Sequence, residues 1–133
     1  MRFLIVEDDF GSRRLLQGLL RTYGRSDVVV DGEEAMEAFR MAWEENDPYH
    51  AVFLDIMMPK VDGQQALRQM REYESDIGVK PKDRTRVIMV TALGDPKNVI
   101  GAYYDGAATS YLVKPIERDA LLEELRKLGL IAE

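Results

Sequence analysis

Apolar and polar residues alternate along the chain in blocks that predict strands and helices in turn. Five short runs are rich in apolar or β-branched residues and are bounded by turn residues, a pattern typical of buried strands. These predicted strands are Arg2 to Val6, Asp27 to Val30, Ala51 to Leu54, Arg86 to Val90 and Thr109 to Val113.

The segments that follow the strands carry apolar residues at helical spacing. The first helix follows the acids at 7–9, has the leucines of 15–20 on one side, and ends at Gly24. The other predicted helices are Glu33 to Glu45, Gln64 to about Glu74, Pro96 to Asp105 and Glu117 to Leu128. Their expected inward residues are Ala35, Phe39, Ala42, Trp43, Leu67, Met70, Leu121, Leu122, Leu125 and Leu128. Ser75 to Arg84 lacks periodicity and is expected to be an exposed loop. The alternative is that this segment extends the third helix or forms its frayed end.

Strands that alternate with helices, and that are apolar throughout, indicate an α/β fold with a mostly parallel sheet covered on both faces. The crossovers are then right-handed. The chain shows no repeat, linker or low-complexity segment, so residues 1–133 are expected to form one domain.

Composition narrows the possible chemistry. The 133 residues are 46% hydrophobic and 32% charged, which suits a folded domain, and the net charge of −6 argues against binding to nucleic acid or to an anionic membrane. The absence of cysteine excludes thiolate catalysis and Cys-ligated zinc, and the single histidine, His50, cannot form a His-rich metal site. No apolar run is long enough to span a membrane and no signal peptide is evident, so a cytoplasmic protein is expected.

Polar side chains stand at the ends of four of the five predicted strands. Glu7 and Asp8 follow the first strand, Asp55 the third, Thr91 the fourth and Lys114 the fifth. The carboxyl ends of parallel strands share one rim, where open α/β sheets bind ligands. Each residue alone has an ordinary explanation, such as a helix cap or a solvated lysine. The set of complementary groups indicates a site.

Three close carboxylates repel one another and raise their pKa values unless cations intervene. Lys114 supplies one cation, and an all-oxygen ligand set suits Mg²⁺ or a similar hard ion, which commonly bridges carboxylates and a phosphate. The rim is therefore predicted to bring a phosphoryl group to a carboxylate, with Asp55 as the reactive group.

The chain resembles, from end to end, the receiver domain of two-component response regulators. The matching motifs are FLIVEDD, DIMMPKVDG, VTAL and YLVKP, in that order and at the strand ends. The resemblance implies a flavodoxin-like (βα)5 three-layer sandwich with strand order 2-1-3-4-5. It also implies a cis Lys114-Pro115 bond.

The resemblance assigns a role to each site residue. Asp55 is implied to be the phosphoacceptor, and Thr91 and Lys114 to contact the phosphoryl group. The metal ligands are implied to be Glu7, Asp8, Asp55 and the backbone carbonyl of Met57, with Mg²⁺ (or Mn²⁺) as cofactor. Thr91 and Tyr111 are implied to be the switch residues.

The implied partners are a sensor histidine kinase or a histidine phosphotransfer protein as donor, and a downstream protein as target. Activation is implied to change the surface of the fourth helix, fifth strand and fifth helix, in a monomer or a phosphorylation-dependent dimer. Such a domain is a switch, and its only implied catalysis is its own phosphorylation and dephosphorylation.

Three rival functions are weaker. A phosphatase of the haloacid dehalogenase type needs an acid where Met57 stands, and a flavin carrier needs a glycine- and hydroxyl-rich loop where the acids at 7–9 stand. A receiver-like domain that is never phosphorylated would not need the complete acidic set.

Two departures from the family pattern bear on the lifetime of the phosphorylated aspartate and on how far the first acidic side chain reaches toward the metal. Glu7 replaces the more frequent aspartate, and Met57 and Leu93 are apolar where polar groups can hold the hydrolytic water. Slow loss of phosphate from Asp55 is therefore expected. The chain ends in GLIAE without a linker, so a stand-alone regulator is expected, the alternative being a receiver fragment of a larger regulator.

Overall fold

The computed structural model describes residues 1–56, 63–92 and 109–132, and it contains one five-stranded parallel sheet. The strands are β1 Arg2–Val6, β2 Arg25–Val29, β3 Ala51–Asp55, β4 Arg86–Ala92 and β5 Ser110–Lys114. Their order is β2-β1-β3-β4-β5, and every neighbouring pair is parallel. The predicted flavodoxin-like order is confirmed.

Four α-helices of the described residues cover the two faces of the sheet. They are α1 Phe10–Leu20, α2 Gly32–Glu44, α3 Gly63–Asp76 and the C-terminal helix Arg118–Lys127, with a short 3₁₀ helix at Pro81–Asp83. The fourth helix predicted for Pro96 to Asp105 lies outside the described residues.

The sheet separates two apolar cores. Alternate residues of β1 face opposite ways, so Leu4 packs into the core under α2 and α3, whereas Phe3 packs into the core under α1 and the C-terminal helix. All five residues of β3 are buried. This two-sided burial is why the strands appear in the sequence as continuous apolar runs.

The structure corrects some sequence-based boundaries and faces. Leu15 is 43% exposed, whereas Leu16 and Leu20 of the same helix are buried. The strand β2 begins at Arg25, two residues before its predicted start, because Arg25 pairs with Arg2. Trp43 and Leu128 pack at the edges of the cores and are only partly buried.

A buried polar network joins the end of α3 to the starts of β4 and β5. Glu74 is fully buried, and its carboxylate accepts hydrogen bonds from Arg71 and from the backbone N–H of Thr85, both at 2.8 Å. Arg71 also donates to the Thr85 carbonyl, and the Thr109 hydroxyl accepts from the Val87 N–H at 3.1 Å. This network anchors the connection through residues 77–85, which overlaps the loop predicted for Ser75 to Arg84.

Candidate functional site

Three carboxylates converge at the carboxyl ends of β1 and β3. Glu7 and Asp8 follow β1, Asp55 ends β3, and one oxygen of each lies within 4.8 Å of the others. Glu7 and Asp55 are buried, whereas Asp8 is exposed. The three predicted acids therefore form one cluster with an open side at Asp8.

Lys114, the last residue of β5, reaches across this cluster. Its Nζ lies 2.8 Å from Oε2 of Glu7 and donates a hydrogen bond to Oδ2 of Asp55 at 3.2 Å. One cation is thus shared by two buried carboxylates. The Lys114-Pro115 bond that follows is cis, as the resemblance implied.

Burial and charge shift the pKa values of the groups at this rim. Burial raises the pKa of the Glu7 carboxyl, and the hydrogen bond from Lys114 opposes that shift only in part. Burial alone would lower the pKa of Lys114, but the hydrogen bond to Glu7 and the charge of Asp55 outweigh it, so the pKa is raised. Lys114 is therefore a permanent cation at neutral pH.

The other oxygen of Glu7 is also engaged. Oε1 accepts a hydrogen bond from the backbone N–H of Asp9 at 3.0 Å, and the backbone N–H of Glu7 donates to the Val29 carbonyl at 3.1 Å. Asp9 itself caps α1 by accepting from the Ser12 N–H at 2.8 Å, a contact that lowers its pKa. Asp9 is therefore the N-cap residue of α1.

A close backbone approach joins the start of α3 to the end of β3, and the sequence did not predict it. The Ile56 N–H donates to the Val90 carbonyl and the Gly63 N–H donates to the Ile56 carbonyl, both at 3.0 Å. A Cβ on Gly63 would lie 2.4 Å from the carbonyl oxygen of Asp55. The Asp62-Gly63 pair indicates a turn and a helix start, and it was the available signal.

The two predicted switch residues occupy different environments. Thr91 is 3% exposed, lies within β4 rather than at the start of a loop, and donates from its hydroxyl to the Ala92 carbonyl at 3.3 Å. Tyr111 is 45% exposed on β5. Met57, whose backbone carbonyl was the fourth predicted metal ligand, lies outside the described residues.

The donor set fits a hard divalent cation. Three carboxylates offer oxygen alone, and Lys114 offsets only part of their charge. Such ligands favour Mg²⁺ or Mn²⁺ over zinc. The exposed carboxylate of Asp8 gives an ion access from solvent.

Comparison with known proteins identifies the family. Residues 3–126 match the model of the response regulator receiver domain, and the chain belongs to that family of phosphoaccepting switch domains. A similar curated protein, the probable transcriptional regulator ycf27 of Cyanophora paradoxa, is 36% identical over 128 residues. The match covers 96% of this chain and 47% of that protein, so the chain spans about half the length of this relative.

Solved receiver domains share the fold. One is the receiver domain of sensor histidine kinase PA1611 from Pseudomonas aeruginosa, solved with magnesium coordinated in its active-site cleft. It has a TM-score of 0.75 and 29% identity, covering 96% of this chain and 97% of that one. A second, from Saccharomyces cerevisiae, is a response regulator receiver domain in complex with a histidine phosphotransfer protein. It has a TM-score of 0.81 and 25% identity, covering 97% of this chain and 88% of that one. Among the described residues, no helix is long and apolar enough to cross a membrane.

Proposed function

We propose that Asp55 accepts a phosphoryl group from a sensor histidine kinase or a histidine phosphotransfer protein. The observation that carries this proposal is the buried carboxylate of Asp55, paired with Lys114 at 3.2 Å and within 4.8 Å of the carboxylates of Glu7 and Asp8. A donor complex of a similar receiver domain supports the partner class.

The chemistry at Asp55 is a displacement at phosphorus. A carboxylate oxygen attacks the phosphorus of a phosphohistidine, the P–N bond breaks, and the released imidazole takes a proton. Lys114 holds the attacking carboxylate in place and then donates to the phosphoryl oxygens. The buried hydroxyl of Thr91 leaves its bond to the Ala92 carbonyl and donates to the same oxygens.

Glu7, Asp8, Asp55 and the backbone carbonyl of Met57 would hold a Mg²⁺ or Mn²⁺ ion. The ion supplies charge stabilisation for the transferring phosphoryl group. Of these ligands, Asp8 is the carboxylate with an open approach, whereas both oxygens of Glu7 already accept hydrogen bonds. Glu7 is thus suited to bind the ion either directly or through a bound water.

The output is a changed binding surface. Thr91 lies on β4 opposite Val113 of β5, and Tyr111 stands three residues before Lys114 on β5. Movement of Thr91 toward the phosphoryl group opens space on that side, and Tyr111 turns inward to fill it. This biases the surface of the predicted fourth helix, β5 and the C-terminal helix toward binding a protein target, in a monomer or a dimer.

We take the 133 residues as one receiver domain, acting alone as a regulator or as the receiver of a larger one, since the similar curated protein is about twice as long. Its own catalysis is limited to its phosphorylation and dephosphorylation. We propose that the domain acts in the cytoplasm, where a histidine kinase has access to ATP.

Acetyl phosphate tests the proposal without a cognate kinase. Incubation with acetyl phosphate and Mg²⁺, read by intact-protein mass spectrometry, is expected to add one phosphoryl group. Asp55→Asn is expected to abolish the gain, and the matched control Asp76→Asn, an exposed aspartate on α3, to retain it. Phosphorylation of Asp55→Asn to the native extent would refute the assignment, and turnover of many phosphomonoesters would favour a phosphatase.

A further inference from the structure

A basic segment of the chain lies at the amino end of the sheet, at the pole opposite the acidic rim. Residues 80–86 lead into β4 and contain one acid against four cations, namely Lys80, Lys82, Arg84 and Arg86. Arg86 pairs with Ala51, the first residue of β3, whereas Asp55 is the last residue of that strand, about 13 Å away along it. The proposed phosphoryl transfer at Asp55 therefore leaves this segment without a role.

The segment borders a cavity of about 420 Å³, a volume within the range of small-molecule binding sites. The other walls are the turn at residues 46–50 and Leu130, which follows the C-terminal helix. Pro48 and Leu130 supply apolar surface. Three cations also line the cavity: Lys82, Arg84 and Arg86. We call this feature the basal cavity.

The side chain of Arg84 lacks an acceptor for a buried donor. Arg84 is half-buried, its Nε is shielded from solvent, and this Nε has no hydrogen-bond partner among the described residues. A buried donor without an acceptor is destabilising, and more so when it belongs to a charged group. Such a donor at the wall of a cavity is expected where the acceptor comes from a ligand.

Lys82 and Arg86 are likewise without a counter-charge. Neither forms an ion pair with another of the residues that the structure describes. Nη1 of Arg86 donates to the Arg84 carbonyl at 3.1 Å, which keeps the Arg86 guanidinium close to Arg84. The three cations are therefore gathered on one side of the basal cavity without an anion to pair with.

Two acids also line the basal cavity, but they do not offset its cations. The carboxylate of Asp47 is taken up by Arg2 and Arg25, at 3.4 and 2.8 Å. Asp83 is exposed and brings one negative charge. Three cations therefore face one uncompensated acid, and the cavity keeps a net positive charge within a chain of net charge −6.

His50 adds a neutral donor to the same cavity. Its Nδ1 accepts a hydrogen bond from the backbone N–H of Arg2 at 3.1 Å. The neutral imidazole therefore carries its proton on Nε2, which is a donor. Because His50 is exposed and lines the basal cavity, this donor is within reach of a ligand there.

We propose that the basal cavity binds a small molecule that carries a phosphate ester. The guanidinium of Arg84 turns, since it makes no hydrogen bond to the described residues, and donates through Nε and one Nη to two phosphate oxygens. Lys82 and Arg86 offset the remaining negative charge, and the carbon body of the ligand packs on Leu130. Binding requires no phosphoryl group on Asp55, so the inference goes beyond the proposed function.

The charge and shape of the basal cavity select this class of ligand. A carboxylate brings one negative charge, whereas a phosphate monoester brings nearly two at neutral pH, which matches the excess of cations. A nucleic acid or a membrane presents an extended anionic surface, which cannot reach a donor shielded from solvent and is repelled by the net charge of the chain. A compact phosphate ester meets neither obstacle.

An NMR titration of the full chain with phenyl phosphate tests the proposal. EDTA is present, so that metal ions do not recruit the ligand to the acidic rim. The backbone amide signals of His50, Arg84 and Arg86 are expected to move along one saturation curve, while those of Glu7 and Asp55 stay in place. Phenol, which has the carbon body without the phosphate, is expected to bind more weakly by on the order of tenfold or more.

Replacement of Arg84 by methionine removes the guanidinium and keeps the apolar stem. Arg84→Met is expected to weaken the binding of phenyl phosphate by on the order of tenfold or more. The matched control, Arg40→Met, makes the same change at an exposed site on α2 and is expected to bind like the native chain. Without ligand, Arg84→Met is expected to resist urea at least as well as the native chain, because it removes a buried donor that has no acceptor.

Four results would overturn the inference. They are no saturable shift with phenyl phosphate, equal weakening in both variants, tighter binding of a single-stranded oligonucleotide or of phosphatidylserine vesicles at the same residues, or a ligand-free Arg84→Met that is clearly less stable than the native chain. Phosphorylation of Arg84→Met by acetyl phosphate with Mg²⁺ is expected to match that of the native chain. That readout separates failure of the basal cavity from failure of the phosphoacceptor site.

Discussion

Replacement of Lys114 by methionine is the most informative perturbation of the rim. The lysine is the cation shared by the buried carboxylates of Glu7 and Asp55, at 2.8 and 3.2 Å. Methionine keeps the apolar stem and removes the charge. Without added metal, two buried carboxylates then face each other with no counter-charge, so the folded state is expected to lose stability.

The size of this loss follows from burial. Removing one partner of a fully buried ion pair costs about 3–5 kcal/mol. The side chain of Lys114 is 24% exposed, whereas those of Glu7 and Asp55 are 2% and 7% exposed, so solvent screens part of the interaction. We expect Lys114→Met to lower the free energy of unfolding by about 2–3 kcal/mol near neutral pH.

The loss is expected to depend on pH with a definite sign. Burial raises the pKa of Glu7 above its unfolded value, so ionisation of Glu7 removes stability as pH rises through that interval. The hydrogen bond from Lys114 opposes this, and its removal raises the pKa of Glu7 further. The variant's deficit should therefore be small where Glu7 is protonated and should grow as pH rises toward neutrality.

The free energy of unfolding of the native chain and of Lys114→Met is measured by urea unfolding followed by far-UV circular dichroism. The measurements are made in EDTA, at about pH 5 and about pH 7.5. Lys127→Met is the matched control, since the exposed Lys127 pairs only with Glu123 and Glu124 of its own helix among the described residues, at 3.5 and 3.7 Å. It should cost much less at either pH. A Lys114→Met variant as stable as the native chain, or a deficit that does not grow with pH, would refute the reasoning.

Three further predictions address the loop, the buried network and the phosphate lifetime. Gly63→Ala should cost about 1–3 kcal/mol of unfolding free energy and slow phosphorylation, because its Cβ overlaps a backbone oxygen at 2.4 Å. Gly18→Ala, with open space around its Cβ, should stabilise by about 0.5–1 kcal/mol, and the opposite ranking would contradict this account. Glu74→Ala should cost about 3–5 kcal/mol in urea unfolding, because it removes the buried anion that pairs with Arg71 and leaves the Thr85 N–H without its acceptor, whereas exposed Glu72→Ala should cost little. A labelled phosphoryl group on Asp55 should persist well beyond seconds, and it should be lost faster from the Met57→Asn variant. A native lifetime of only seconds would contradict the expectation of slow phosphate loss.

Sequence patterns predicted the strands well because two-sided burial leaves a direct trace. The β1 strand has apolar residues at its four buried positions, and its predicted and observed bounds coincide at Arg2 and Val6. The edge strand β2 lacks this constraint. Its start at Arg25 depends on backbone pairing with β1, and such pairing leaves no apolar signal.

The acidic cluster was predictable because its residues stand at the ends of parallel strands. Contacts specific to this backbone were not predictable from the sequence. Polar residues directly after strands of a parallel sheet must share a rim, and that alone joins Asp55 to Lys114. Helical spacing places position 74 on the same inward face as Leu67 and Met70, but no periodicity predicts that a carboxylate there is fully buried with partners. Its burial depends on Thr85 meeting it across the 77–85 connection, which is a tertiary contact between distant residues.

Lys114 connects the acidic cluster at the rim to β5, the strand of the proposed switch residue Tyr111. It ends β5, and its Nζ lies closer to Glu7, at 2.8 Å, than to Asp55, at 3.2 Å. A phosphoryl group on Asp55 would bring new anionic oxygens into the cluster and draw Lys114 away from Glu7. That shift would act on β5 directly, three residues beyond Tyr111, while Glu7 remained tied to the Asp9 N–H. Glu7→Gln, which frees Lys114 beforehand, should therefore move the backbone amide NMR signals of β5 toward their phosphorylated positions, and unchanged β5 signals would remove Lys114 from the switch.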